Sequence, residues 1–276
     1  MTYGLDGVTV RFGEVVALDD VSLELEPGTV TAIVGGDGAG KSTLLHCLAG
    51  TVAATTGTVR RPPKQRLGSM SSNSGAWGDL TVDENISFVG GCYGMGRDAI
   101  AARRDELLER AGLASAADRL VRDLSGGMRQ KLGFVLAFLH RPEVLLLDEP
   151  STGVDPVSRV ELWRMIAEAA AAGVVVAMTT TYLDEAERCP SILVLADGAA
   201  LARGSLDDGV GAVPGEVREV AEPTEPTNAW RHGRVVLEWF PDGSPIGTPV
   251  DADLEAAVIS LMLDRGRRSS SEPVGP

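Results

Sequence analysis

Apolar and polar residues alternate over Val8-Thr9-Val10-Arg11-Phe12 and over Val21-Ser22-Leu23-Glu24-Leu25, the period of two shown by half-buried strands. A turn at Glu26-Pro27-Gly28 leads into Thr29 to Val34, which reads as a buried strand. Gly35 to Gly40 then interrupts the pattern before a helix over Ser42 to Ala49. Residues 51–67 read as a short β excursion closed by Pro62-Pro63, and 69–79 as a loop rich in Ser, Gly and Asn. From about 83 to 140 the pattern is mostly helical, with Asp98 to Ala111 carrying the charge mix of an exposed helix face. Beyond it, short apolar strands at Val144 to Leu147, Val174 to Met178 and Ile192 to Leu195 alternate with helices near Val157 to Ala172 and Leu183 to Arg188. This alternation predicts an α/β core with parallel strands.

After Gly204 the composition changes. Residues 206–228 are rich in Gly, Pro and Glu and read as a linker. A strand over Arg234 to Phe240, a Pro241-Asp242-Gly243 turn and an amphipathic helix from about Asp253 to Leu263 predict a small β/α appendage over 229–264. The segment 265–276, with its Arg and Ser run, is expected to lack fixed structure.

Charge removes one class of partner. Lys and Arg total 25 against 39 Asp and Glu, a net charge of −14, and no basic stripe offsets it, so nucleic acid is not an expected partner. No apolar run approaches the 18 or so residues of a membrane span. The N-terminus lacks a basic region followed by an apolar core, so no secretory signal is read there. Cys47, Cys92 and Cys189 lie far apart and odd in number, which argues against a disulfide framework and suits a reducing cytosol. His46, His140 and His232 are equally scattered and predict no histidine metal site; His46 and Cys47 read as packing residues of the first helix.

Two segments carry chemistry. Gly35-Gly36-Asp37-Gly38-Ala39-Gly40-Lys41-Ser42 fits G-x-x-x-x-G-K-[ST] between a strand and a helix. The glycines let successive N–H groups face an anion at a helix N-terminus. Lys41 would bridge phosphate oxygens of ATP while the Ser42 hydroxyl ligates Mg²⁺, with Thr43 next to it among the ATP-binding residues. The strand Val144 to Leu147 ends in Asp148 and Glu149. Side chains alternate along a strand, so one carboxylate would face the magnesium shell and the other an attacking water.

Ser125-Gly126-Gly127-Met128-Arg129-Gln130, placed between these segments and followed by Ser151-Thr152-Gly153-Val154-Asp155-Pro156, resembles the signature of the ATP-binding cassette of ABC transporters. The resemblance spans about residues 2–205. It implies a P-loop NTPase fold: a parallel-sheet core, an antiparallel β subdomain and a helical subdomain at about 83–140. It also implies that Ser125, Gly126 and Gly127 serve ATP held by a second cassette, that Asp155 contacts that cassette, and that Phe12 stacks on adenine. The bland readings are a turn-forming Asp155 and a core Phe12. Trp77 lies where the family meets its permease, so it suits a protein contact or local packing.

The chain departs from the family at three positions. Ser72 stands where a glutamine touches Mg²⁺, Thr181 where a histidine contacts the γ-phosphate, and Asp37 where Asn is usual. Losing one preorganised transition-state donor costs about 10² to 10³ in rate. With Lys41 and Glu149 retained as the catalytic pair, the expectation is an ATP-binding subunit of slow or impaired turnover, the weaker half of an asymmetric dimer. The segments around Asp155, Tyr182 to Glu187 and Asp253 to Val258 resemble the drug and antibiotic export branch, which implies a separate permease at the inner face of the cell membrane. The alternatives are a soluble cassette ATPase remodelling a protein complex and a regulatory module that binds nucleotide without hydrolysis.

Overall fold

In the computed structural model, which describes residues 2–271, the two alternating N-terminal segments form β1 (Tyr3–Phe12) and β2 (Val15–Leu25), an antiparallel pair. After β3 (Val30–Val34) and α1 (Lys41–Ala49), β4 (Thr56–Arg60) pairs with the other edge of β1. A second layer takes up β5 (Leu67–Met70), α2 (Val82–Cys92), α3 (Arg97–Ala111), α4 (Gly126–Phe138), β6 (Val144–Asp148) and α5 (Pro156–Ala171). It is completed by β7 (Val175–Thr180), the one-turn α6 (Leu183–Ala186), β8 (Ser191–Ala196) and β9 (Ala199–Ser205).

The central sheet runs β5-β6-β7-β3-β8-β9, parallel except for β9. Its strands are apolar on both faces, as buried parallel strands must be. The period of two sorts them: Ile33, Val144, Leu146, Val175, Ala177 and Leu193 pack with α1 and the β2-β1-β4 sheet. Their neighbours Ala32, Val34, Leu145, Leu147, Val176 and Met178 face the helical side. The strand β9 was not foreseen, because Ala199 to Ser205 holds small and polar residues whose alternation is weak.

The predicted linker at 206–228 is a correction. Its first part is α7 (Leu206–Gly211), and β10 (Glu216–Val220) is a strand of an antiparallel sheet ordered β11-β12-β10-β13. The other members are β11 (Ala229–His232), β12 (Val235–Phe240) and β13 (Thr248–Pro249). Only Val217 and Val220 of β10 are buried, too few to show a strand period against the Pro and Glu around them. Pairing with β12 supplies what propensity does not. The closing helix, α8 (Leu254–Ser271), carries Ala256 against this sheet and Leu254, Val258 and Leu261 against the cassette core. The expected unstructured tail at 265–276 is therefore helical as far as Ser271, and its remaining residues lie outside the described span.

Candidate functional site

The phosphate-loop motif sits at the C-terminal end of β3, with β7 and β8 on either side and β6 beyond β7. Crevices outside the carboxyl ends of parallel strands are where such sheets bind ligands. Gly40 opens α1 at φ 102, a conformation that favours glycine, and a Cβ there would fall 2.6 Å from the Ala17 carbonyl oxygen. The loop is thus buttressed by β2, and Gly198, which donates to the Ala39 carbonyl, supports it from the β8–β9 turn. Gly36, Asp37 and Gly38 at the loop's crest are exposed, whereas Ala39 is buried in the core beneath it.

Lys41 is 5% exposed. Its ammonium donates to the carbonyls of Gly35 at 2.8 Å and Gly36 at 3.0 Å and lies 3.9 Å from Glu149 Oε1. A buried cation needs such partners, and here two of the three are loop carbonyls that an entering phosphate can replace. The Ser42 hydroxyl donates to Asp148 Oδ1 at 3.2 Å. Thr43, next on α1, is half-buried.

Asp148 and Glu149 face different partners, but not through the strand alternation expected of them. β6 ends at Asp148, and Glu149 turns out of it at φ 45, in the left-handed region. Such a conformation in a non-glycine residue costs about 1–3 kcal/mol and needs surrounding support. Thr179 provides it: its hydroxyl accepts from the Glu149 N–H at 2.8 Å and donates to Asp148 Oδ1 at 2.7 Å. Glu149 Oε2 in turn accepts from the Thr152 hydroxyl at 3.2 Å. No role was read in sequence for Thr179 or Thr152. The signal for Thr179 is its register opposite Asp148 in the parallel β6–β7 pair, a non-local pairing.

The oxygen donors of Ser42 and Asp148, hydrogen-bonded to each other with Thr179 donating to the same Asp148 oxygen, are of the kind that a hard divalent cation prefers. The residues present therefore fit Mg²⁺ beside a phosphate chain.

Phe12 is 54% exposed and pairs with Val15 at the tip of the hairpin, two residues along β2 from the Ala17 that meets Gly40, so it is no core residue. The signature lies elsewhere. Ser125 is the N-cap of α4, accepting from the Met128 N–H at 3.2 Å. A Cβ at Gly127 would sit 3.1 Å from an Asp155 carboxylate oxygen, and one at Gly126 3.2 Å from the Gly153 carbonyl oxygen. Gly126 and Gly127 thus pack on the 151–158 segment of their own chain, which runs from the loop into the first turn of α5. Asp155 is the N-cap of α5, and the N–H of Ser158, then that of Val157, helps hold its carboxyl below the ordinary aspartate value.

Ser72 is exposed, and its backbone carbonyl accepts from the buried Gln130 side chain at 2.8 Å, tying the loop to α4. Thr181 is exposed immediately after β7, the strand between those that lead to the phosphate loop and to Asp148. Trp77 is 49% exposed and packs edge-on to Phe88 at 4.7 Å. Cys47 is buried in the core, whereas His46 on the same helix is exposed.

The family described as ABC transporter matches residues 18–152. Over 212 residues the chain is 39% identical to the "Probable multidrug ABC transporter ATP-binding protein YbhF" of Escherichia coli (strain K12), covering 72% of this chain but 37% of that relative. It is 36% identical over 204 residues to the "Nod factor export ATP-binding protein I" of Cupriavidus metallidurans, covering 70% and 67%. It is 35% identical over 215 residues to the "Daunorubicin resistance ATP-binding protein DrrA3" of Streptomyces coeruleorubidus, covering 74% and 68%. A solved ATP-binding subunit of an ABC transporter aligns with a TM-score of 0.70 at 26% identity, covering 76% of this chain and 92% of that one. A dimeric cassette bound to ADP and Pi shares the fold, with a TM-score of 0.67 at 23% identity, over 75% and 99%.

Proposed function

Because this chain belongs to the ATP-binding proteins of the ABC transporter family, we propose that it is the energy-coupling subunit of an exporter, binding Mg·ATP and acting on a separate membrane permease together with a second cassette. The observation that carries the reading is the joined cluster of Lys41, Ser42, Asp148, Glu149 and Thr179 at one end of the central sheet. The Lys41 ammonium binds phosphate oxygens in place of the Gly35 and Gly36 carbonyls, and the loop N–H groups add an anion cradle at the start of α1. Mg²⁺, when bound, neutralises charge on those oxygens; Ser42 and Asp148 would hold it. Glu149, braced by Thr152 and by its Thr179-bonded backbone, is the carboxylate able to orient an attacking water. Phe12 offers its exposed ring to the adenine base.

Turnover at this site is slow, because Ser72 and Thr181 are too short to make the contacts of a glutamine and a histidine. The signature at Ser125, Gly126 and Gly127 remains available to the nucleotide of a partner cassette, with Asp155 beside it. Export is supported by the relatives, which are named for multidrug transport, Nod factor export and daunorubicin resistance. No helix among the described residues is long and apolar enough to cross a membrane, so a span would come from the permease. The exposed Trp77 and Phe88 pair gives that permease an apolar contact on the cytosolic side.

The test is ATP hydrolysis by the purified chain, alone and with its co-purifying cassette. Alone it turns over slowly, and Ser72→Gln with Thr181→His raises the rate by about tenfold or more. Rapid hydrolysis by the unaltered chain alone, or no gain from the double replacement, sinks the asymmetric reading.

A further inference from the structure

Glu185 in α6 is fully buried. Its Oε2 accepts from the Thr180 hydroxyl at 2.7 Å, while Oε1 has no hydrogen-bond partner among the described residues. The cation beside this buried carboxyl group among the described residues is Arg159, whose Nε is 3.9 Å from Oε1. Arg159 also donates through Nη2 to Asp184 at 2.6 Å, and its guanidinium stands 5.4 Å from the centre of the Tyr182 ring. A single side chain on α5 thus touches Tyr182, Asp184 and Glu185.

The same residues hold the segment around Thr181. The Thr180 hydroxyl accepts from the Tyr182 N–H at 3.0 Å and the Tyr182 carbonyl accepts from the Glu185 N–H at 3.2 Å, so Thr181 is strung between two residues that both bond Glu185. At its other end Arg159 lies one helical turn after Asp155, its N–H donating to the Asp155 carbonyl at 2.9 Å. Asp155 caps α5, and beside it lies Gly127 of the signature.

We propose that Arg159 is a positioning residue: it couples the 151–158 loop to the Thr180–Glu185 segment and so sets residue 181 relative to Asp148 and Glu149. This rests on the reading of the site as a nucleotide site. It adds a route by which a second cassette, bearing on the 151–158 loop, would be sensed beside the phosphate chain. The route is short, because a rigid helical turn carries Asp155 and Arg159 together and the ion pairs leave the guanidinium little freedom.

Amide hydrogen exchange on the full chain tests it through a double-mutant cycle. Asp155→Ala, which removes the cap, speeds exchange of the Tyr182 amide by about tenfold, and Arg159→Gln does the same. The two changes together exceed neither alone, because each breaks the same linkage. Arg159→Lys keeps the charge with a shorter reach, gives a smaller loss in the same pattern and restores part of the Asp155 dependence. It also serves if Arg159→Gln does not fold. A merely stabilising ion pair would yield independent, multiplicative effects, and that result, or no effect of Asp155→Ala at Tyr182, overturns the coupling. Protection of residues 35–42 by Mg²⁺ with the non-hydrolysable analogue adenylyl imidodiphosphate is measured alongside. Its absence removes the nucleotide reading itself, and with it the role given to Arg159.

Discussion

Two regions of this molecule bury a charge, and they do so to opposite ends. At the phosphate loop, Lys41 holds its ammonium on two main-chain carbonyls, with the Glu149 carboxylate at 3.9 Å. In the C-terminal sheet, Glu238 of β12 is fully buried and accepts from the Thr224 N–H, the Thr224 hydroxyl and the Glu225 N–H. In the nucleotide site proposed above the Lys41 partners would be replaceable, since an incoming phosphate offers better acceptors. The Glu238 partners belong to the loop that it clasps, and its demand is met within the chain. Burial of a charge therefore does not mark a binding site; the exchangeability of its partners does.

The comparison breaks most visibly at Glu238. Glu238→Ala leaves the Thr224 and Glu225 donors without acceptors and lowers the stability of the C-terminal sheet by about 3 kcal/mol. Mg·ATP affinity stays unchanged, as denaturation monitored at Trp239 together with equilibrium nucleotide binding would establish. Loss of nucleotide binding as well would mean that the two regions are not separable. Lys41→Ala gives the converse: Mg·ATP binding weakens by about 100-fold, near 3 kcal/mol, while the melting temperature changes little.

Smaller effects sharpen the picture. Thr179→Val keeps the side-chain shape but strands the Glu149 N–H and removes a donor to Asp148. Mg²⁺-dependent nucleotide affinity should fall by about tenfold, measured by titration at fixed ATP. The smallest effect is one of pH. Burial pushes the Glu238 carboxyl up, but the Thr224 and Glu225 hydrogen bonds outweigh it and leave the group below the ordinary glutamate value. A depressed carboxyl stabilises the fold above its unfolded-state value, and that contribution is lost as the pH falls through the folded-state value. Unfolding of the C-terminal sheet should therefore become easier below about pH 4, and Glu238→Gln should flatten that dependence.

How legible each region was follows from how local its determinants are. The strands β3, β6 and β7 and the helix α1 could be read because each carries its own apolar run or its own glycine loop. β10 could not, since Val217 is buried among residues of β12 and α8 and Val220 lies opposite Val236 of β12, all distant in sequence. Within the site, Lys41, Ser42, Asp148 and Glu149 stand in recognisable strings. Thr179 and Thr152 do not, because a hydroxyl becomes informative only when the fold brings a carboxylate to it.

What the sequence determined by itself is the set of local devices: a glycine loop before a helix, an apolar strand ending in two carboxylates, and a Ser-Gly-Gly string between them. These depend on neighbours a few residues away, whose backbone geometry is set by residue type. Only the tertiary structure decided that Glu149 leaves its strand in a left-handed turn held by Thr179, that Asp155 and Gly127 share a corner, and that Arg159 reaches Glu185. Each of those contacts joins residues tens of positions apart, and which pairs meet is settled by strand register and helix packing, which no local pattern encodes.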